Sequence, residues 1–131
     1  MKSLVATDKA PRAIGPYSQG VSIKCGELLF LSGQIPLDPS SGEVVQGGIE
    51  LQTRQVLVNL EEVLKAGGAS LESVLKTTVY LTNLDDFPKM NEVYQQFFQT
   101  APPARSTVEV SRLPRQVKVE IDAIAVVGSR G

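Results

Sequence analysis

The spacing of apolar and polar residues in the first third of the chain is typical of extended segments. In residues 20–34, GVSIKCGELLFLSGQ, apolar positions alternate with polar ones, Gly26 marks a turn and an apolar run follows. This period of two predicts a β-hairpin. Residues 35–48 carry closely spaced prolines and glycines and are predicted to form a loop, with a short extended piece at Val44-Val45. Leu4-Val5 marks an additional candidate strand.

From Ile49 the apolar period lengthens to that of a helix. Apolar side chains recur every three or four residues, and Gly67-Gly68 is predicted to end this first helix. A second helix is predicted to begin at Asp85 or Asp86, with Pro88 in its first turn. Its broad apolar face consists of Phe87, Met90, Tyr94, Phe97 and Phe98.

Three further segments have the composition of strands. Residues 74–82, VLKTTVYLT, are rich in β-branched side chains, and closing strands are predicted at about residues 105–110 and 117–127. The order β-β-α-β-α-β-β, with hairpins at both ends, predicts one α+β domain over residues 1–131. Two helices would cover one face of a mixed six-stranded sheet.

The closing strand presents apolar side chains on both of its faces. One face is wholly apolar, whereas the other mixes Glu120 and Asp122 with Ile124 and Val126. Two helices can cover only one side of a sheet, so the half-apolar second side needs a cover from elsewhere. The sequence therefore predicts a homo-oligomer.

The amino-acid composition limits the binding and catalytic functions that the chain could have. The net charge is −1 without a basic run, which argues against nucleic-acid binding, and no apolar stretch is long enough to span a bilayer. A cytoplasmic protein is expected. The chain has no histidine and a single cysteine, Cys25, which excludes histidine triads, histidine-bound zinc and an intrachain disulfide. Catalysis would have to use carboxylates, Arg, Lys, Tyr, hydroxyls, backbone groups or water.

Two charged residues stand at unusual positions in the closing strands. Arg105 follows Pro102-Pro103 at the start of a strand, and it is either a surface residue or a carboxylate clamp presented from a stiff segment. Glu120 interrupts an apolar run, and it is either an exposed strand carboxylate or a general acid/base.

Three polar or small residues elsewhere have two interpretations each, and a fourth has one. Tyr17 follows Gly15-Pro16 and is either a lid on a cleft or a packing residue. Ser32 and Gly33 lie near a strand end, where a glycine permits close approach of a ligand or simply a bend. Asn91, on the second helix, is expected to bond to local backbone.

Five blocks together resemble one family, the RidA (YjgF) enamine/imine deaminases. They are APRAIGPYSQGV, LSGQIPLDP, VLKTTVYLTNLDDFPKMNEVY, PPARSTVEVSRLP and VKVEIDAIAV, and they span about Ala10 to Val127 in the family's order. The resemblance implies a chorismate-mutase-like fold and a homotrimer with clefts between subunits. It also implies hydrolysis of small 2-imino acids, 2-iminobutanoate and 2-iminopropanoate, to 2-keto acids and ammonia. The sequence identifies no metal or cofactor, and neither a nucleic-acid nor a membrane partner is expected.

The resemblance also assigns roles to residues. It implies that Arg105 holds the substrate carboxylate and that Glu120 orients or activates the attacking water. It implies that the cleft is lined by Tyr17, Ser32, Gly33, Asn91 and Thr107. Thr107 stands where relatives often have cysteine. The resemblance implies that this position acts through its backbone, so activity is expected to be retained while substrate preference is open to a shift. If the empty cleft brings Arg105 beside Glu120, the arginine lowers the pKa of that carboxyl.

Two other functions remain open at the level of sequence. A trimer with the same arginine-lined cleft and no turnover would be a small-carboxylate-binding regulator. RNA cleavage or translation inhibition, reported for relatives, is disfavoured by the net charge and by the missing histidine and basic stripe.

Overall fold

The computed structural model describes residues 2–128 of the chain. The single domain predicted over residues 1–131 includes Met1 and residues 129–131, which lie outside the described residues. The strands are β1 (Lys2–Val5), β2 (Gly20–Ile23), β3 (Glu27–Gln34), β4 (Val74–Leu81), β5 (Ala104–Glu109) and β6 (Val119–Val127). The helices are α1 (Ile49–Ala66) and α2 (Phe87–Phe97), and short 3₁₀ turns precede β4, α2 and β6.

Six strands form, as predicted, but hydrogen bonding divides them into a four-stranded sheet and a separate pair. A four-stranded sheet has the order β3-β6-β4-β5, with β4 and β5 parallel and the other pairs antiparallel. β1 and β2 form an antiparallel pair of their own. A single parallel bridge between Ser18 and Ala104 joins this pair to β5, and the Ser18 N–H donates to the Pro103 carbonyl at 3.0 Å. The result is a mixed arrangement in an α+β domain.

The predicted hairpins at the two ends of the chain are wrong. Gly26 does turn the chain with a φ of 125°, but β2 pairs with β1, and β3 pairs with β6. At the other end, β4 lies between β5 and β6. The reason is burial: the alternate residues of β6 are almost completely buried, and a strand reaches that degree of burial only with a neighbour on each side.

α1 begins and ends where the sequence predicts, and α2 begins at Phe87, directly after the predicted Asp86. α1 ends at Ala66 because Gly67 caps it and Gly68 adopts a φ of 83° that favours glycine. α2 carries Pro88 in its first turn, and the side chain of Asn83 caps the preceding 3₁₀ turn by accepting from the Asp85 N–H at 2.9 Å. Neither α1 nor α2, the helices of residues 2–128, has the length and hydrophobicity that a membrane span requires.

The helices cover one face of the four-stranded sheet and bury the core there. Fully buried side chains come from both helices and from the facing sides of β4 and β6; they are Val56, Leu57, Leu64, Met90, Tyr94, Val79, Leu81, Val119, Ile121 and Ala125. Each large apolar side chain buried in this way contributes roughly 1.5–3 kcal/mol.

Within residues 2–128, no helix covers the opposite face of the sheet. Leu28 and Phe30 of β3 lie there with 46% and 69% of their surface exposed, because Phe30 pairs with Ile124 while Leu29 and Leu31 pair with core alanines of β6. This open face is half apolar, as the sequence predicts. The homo-oligomer inferred from it stays a prediction.

Candidate functional site

Arg105 lies on the helix-covered side of the sheet. In the parallel ladder it stands opposite Thr77, whose hydroxyl forms a buried 2.7 Å hydrogen bond with the Tyr94 hydroxyl on α2. The Arg105 side chain therefore points toward α2, where Nη1 donates to Oδ1 of Asn91 at 2.7 Å. The Asn91 side chain therefore bonds to Arg105 and not, as the sequence suggested, to the local helix backbone.

Three aromatic rings surround the guanidinium. Its central carbon lies 4.8 Å from the centroid of Tyr94, 5.4 Å from that of Phe87 and 5.5 Å from that of Tyr17. A cation near a ring is attracted by the ring's quadrupole, with a gain of about 0.5–2 kcal/mol for each favourable pair. The rings and Asn91 together fix the direction in which the remaining N–H groups of Arg105 point.

Arg105 forms no ion pair within residues 2–128. Burial lowers its pKa, yet a guanidinium stays protonated in proteins, so the site holds a half-buried positive charge without a matching anion. Such a charge costs free energy until an anion binds. The group formed by Arg105, Asn91, Tyr17, Phe87 and Tyr94 is therefore suited to bind a small carboxylate.

Tyr94 supports this group and does not act as a base. Burial raises the pKa of Tyr94 to about 12, although the Thr77 hydrogen bond and the nearby Arg105 charge lower it. The phenol is consequently neutral at physiological pH. Its hydroxyl is occupied by Thr77, and its ring faces the guanidinium.

Tyr17 is held by a tight local turn. Its N–H donates to the Gly15 carbonyl at 2.7 Å, and its hydroxyl accepts from the Ile14 N–H at 3.3 Å. The side chain of Gln19 bonds to the preceding loop, accepting from the Thr7 N–H and donating to the Pro11 carbonyl, each at 2.6 Å. A cavity of about 420 Å³ beside Tyr17 is lined by neither Arg105 nor Glu120.

Thr107 follows Arg105 on the same side of β5, opposite Val79. Its Oγ1 is buried and has no hydrogen-bond partner in the described part of the chain. A hydroxyl that solvent does not reach is not available to a ligand in this single chain.

Glu120 lies on the other side of the sheet. It pairs with Tyr80 of β4, whereas its neighbours Val119 and Ile121 are buried on the helix side. A Cβ at Gly33 would collide with the carboxylate, since even the Glu120 Cδ would be only 2.8 Å away. Gly33 therefore gives this side chain its room, and the exposed Ser32 precedes it.

Burial, followed by the negative charge of Asp122, raises the pKa of Glu120. This is opposite to the lowering by Arg105 that the sequence suggested, and it follows from the two residues' positions. Arg105 faces α2 while Glu120 faces away from both helices, so the arginine does not act on this carboxyl within one chain.

The predicted site residues thus form two groups separated by the sheet. Of the predicted residues, Arg105, Asn91, Tyr17 and Thr107 lie on the helix side, in what we call the arginine group together with Phe87 and Tyr94. The carboxylate group consists of Glu120, Gly33 and Ser32. The sequence analysis did not assign Phe87 and Tyr94 to the arginine group, although their spacing from Asn91 on α2 places all three on one helix face. It also left Tyr80 and Asp122 out of the carboxylate group.

Comparison with known proteins agrees with the sequence blocks. The model of the family described as Endoribonuclease L-PSP matches residues 7–127. The chain belongs to this family, which is the RidA/YjgF family that the blocks resemble.

Relatives with full-length similarity carry two kinds of names. The RutC family protein PH0854 of Pyrococcus horikoshii is 56% identical over 125 residues, covering 95% of this chain and 98% of its own. The 2-iminobutanoate/2-iminopropanoate deaminase of Mus musculus is 48% identical over 128 residues, covering 98% and 93%. Similarity to both supports a RidA-type function.

A solved structure extends the similarity to the fold. The crystal structure of E. coli TdcF with bound serine has a TM-score of 0.74 and 44% identity to this chain, with 96% of this chain and 99% of that chain covered. The α+β domain with two helices and a mixed sheet is therefore the family's fold.

Proposed function

We propose that the chain is a hydrolase that deaminates small 2-imino acids, 2-iminobutanoate and 2-iminopropanoate, to 2-keto acids and ammonia in the cytoplasm. The observation that carries this proposal is the half-buried Arg105, which is fixed by Asn91 and three aromatic rings and has no anionic partner within residues 2–128. A planar guanidinium with free N–H groups matches a carboxylate through two parallel hydrogen bonds.

The reaction also needs a proton acceptor, and the proposed acceptor is Glu120. Because the sheet separates Glu120 from Arg105 in one chain, we propose that the complete site forms between copies in a homotrimer. The arginine group of one copy would face the carboxylate group of the next. The half-apolar open face, with Phe30 69% exposed, supports association of this kind.

The proposed chemistry balances with water as the only co-reactant. Arg105 holds the carboxylate and removes most of the rotational freedom of the substrate. A water molecule attacks the carbon of the protonated imine, C=NH2⁺, while Glu120 takes one of the water protons, so that a neutral carbinolamine forms. Glu120 returns that proton to the nitrogen, the C–N bond breaks and ammonia leaves. The remaining hydroxyl gives its proton to the departing ammonia as the C=O bond of the keto acid forms.

The comparisons support the substrate class. The mouse relative is named for 2-iminobutanoate and 2-iminopropanoate, which carry a carboxylate beside the C=N carbon. The TdcF structure holds serine, an amino acid with a carboxylate on the carbon that bears nitrogen. Both ligands present the anion that the arginine group lacks.

A coupled assay tests the proposal. A threonine dehydratase would generate 2-iminobutanoate, and its decay would be followed with and without this protein, because the imine also hydrolyses spontaneously. We expect faster decay with the wild type and with Arg54→Ala, and no acceleration with Arg105→Ala. Arg54 is a matched control because it also lies near an aromatic ring, Phe97 at 5.7 Å, but on the outer surface of α1. Equal decay with and without the wild type would reject the proposal.

A regulator that binds small carboxylates without turnover is the second candidate. It is favoured by one observation, namely that the arginine group forms within a single chain, whereas Glu120, the proposed proton acceptor, lies on the other face of the sheet. Calorimetric binding of a 2-keto acid that depends on Arg105, without any acceleration of imine decay, would support the regulator instead.

A further inference from the structure

Glu120 has a second acidic residue beside it on the open face. Glu120 and Asp122 are two positions apart on β6, so their side chains leave the same side of the sheet. Tyr80 stands directly opposite Glu120 in the antiparallel ladder. The Tyr80 hydroxyl nevertheless donates to Oδ2 of Asp122, at 3.1 Å.

The two carboxylates therefore have unequal surroundings. Asp122 accepts a hydrogen bond from Tyr80, which fixes the position of its side chain on the open face. Glu120 accepts none from any residue in the range 2–128, while burial and the Asp122 charge raise its pKa. Two neighbouring acids with unequal surroundings commonly take different roles in proton transfer.

Other charged groups near this face do not offset the unequal surroundings of Glu120 and Asp122. Lys118 precedes Glu120 by two positions on the same side, but it is exposed. Lys76, on β4, donates to the Ser106 hydroxyl at 3.0 Å. On β3 the only titratable residue is Glu27, which pairs with Val127 at the far end of β6. In the proposed trimer, Arg105 of a neighbouring copy would oppose Asp122 until a substrate carboxylate neutralised it.

We propose that Asp122, held by the Tyr80 hydroxyl, is a positioning residue whose charge makes Glu120 the member of the pair that takes the proton from the attacking water. This rests on the proposed function, because it assigns Glu120 the task of accepting that proton before returning it to the leaving nitrogen. Asp122 does not touch the substrate in this scheme. It acts only through its charge on Glu120, and Tyr80 acts only by holding the Asp122 side chain in place.

The variants separate charge from hydrogen bonding. Asp122→Asn removes the charge and keeps an oxygen that can accept from Tyr80, so the local fold is retained. Asp122→Glu restores the charge. Tyr80→Phe removes the donor and keeps both acids. Asp85→Asn is the control, since it removes one negative charge from the turn before α2, on the helix side of the sheet.

The carboxyl titration of Glu120 would be followed by carbon-13 NMR in the unliganded protein, which requires no activity. We expect a downward shift of the Glu120 midpoint in Asp122→Asn, and none in Asp122→Glu or Asp85→Asn. In Tyr80→Phe, which releases the Asp122 side chain, the Glu120 midpoint should shift downward by less than in Asp122→Asn. An unchanged Glu120 midpoint in Asp122→Asn would overturn the proposal.

A second arm measures kcat against pH in the coupled imine assay. In Asp122→Asn the loss of activity with falling pH should begin at lower pH than in the wild type, because Glu120 stays ionised, and able to accept a proton from water, to lower pH. A uniform loss at all pH values would show a merely structural role and contradict the inference. Absence of any turnover by the wild type would instead reject the proposed function, while the NMR titration would still test the pairing of Asp122 with Glu120.

Discussion

Arg105 and Glu120 lie on opposite faces of one sheet, with only β4 between their strands. Arg105 stands opposite Thr77 and bonds to Asn91 on α2, whereas Glu120 stands opposite Tyr80 and faces away from the helices. A small substrate cannot contact both side chains of the same chain. If the two residues serve one reaction, each site must combine two copies of the chain.

The first prediction concerns the shape of the Arg105 head group. Arg105→Lys keeps the charge but loses the planar pair of donors, so we expect kcat/KM for 2-iminobutanoate to fall about 10- to 100-fold, the equivalent of one charge-assisted hydrogen bond. The same change at the exposed Arg54 is the control and should have no effect. Circular dichroism should show both variants folded. An Arg105→Lys variant with wild-type kcat/KM would contradict the carboxylate clamp.

The second prediction concerns the space beside Glu120. In Gly33→Ala the added methyl collides with the far end of a flexible side chain, so the carboxylate should move and the backbone should not. We expect kcat to fall while the melting temperature changes little. Gly15→Ala is the control, because a Cβ there meets the Asn91 amide nitrogen at an ordinary 3.7 Å. Full activity in Gly33→Ala would mean that the observed position of Glu120 is not needed.

The third prediction concerns alkaline stability. The pKa of Tyr94 is raised from 10.0 in the unfolded reference to about 12 by burial. The stabilisation from the neutral phenol is therefore complete below pH 10 and is lost as the pH rises through 12, an effect on the order of 2–3 kcal/mol. Urea unfolding at pH values from about 8, below the pKa of the unfolded state, to about 12 would measure this loss. Tyr94→Phe has no proton to lose and should show a smaller decline than the wild type; parallel curves would refute the assignment.

The fourth prediction concerns the buried hydroxyl of Thr107. Since Oγ1 has no partner among the residues that the structure describes, Thr107→Val should raise the free energy of unfolding by about 1 kcal/mol. The Michaelis constant should stay the same if this position serves the substrate through its backbone. Chemical denaturation and steady-state kinetics check the two parts separately. A loss of stability would show that the hydroxyl has a partner in the assembled protein.

Local signals in the sequence were sufficient for the helices and for the faces of β6. Gly67-Gly68 and Pro88 act on the backbone of their own segments, so the C-terminal end of α1 and the start of α2 follow from them directly. The alternation along β6 likewise reports burial on each side. Strand partners were predicted less well, because a hairpin prediction assumes that neighbours in sequence pair. Here the demand for burial places β6 between β3 and β4.

The division of the site was not visible in the sequence for a related reason. Alternation along a strand shows which residues share a face of that strand, but it does not relate the faces of two strands until their register is known. Arg105 and Glu120 could be placed on opposite faces only through Thr77 and Tyr80 of the intervening strand. The sequence does contain a signal for the aromatic surroundings of Arg105, since Phe87 and Tyr94 flank Asn91 on one face of α2.

Subunit mixing tests the central claim most directly. Arg105→Ala and Glu120→Gln proteins, each inactive alone, would be unfolded together, refolded as a one-to-one mixture and assayed for imine hydrolysis. If each site takes its arginine from one copy and its carboxylate from the next, about a quarter of the sites in randomly mixed trimers are intact, and activity should recover to about a quarter of the wild-type value. A mixture that remains as inactive as its two components would contradict a site shared between copies.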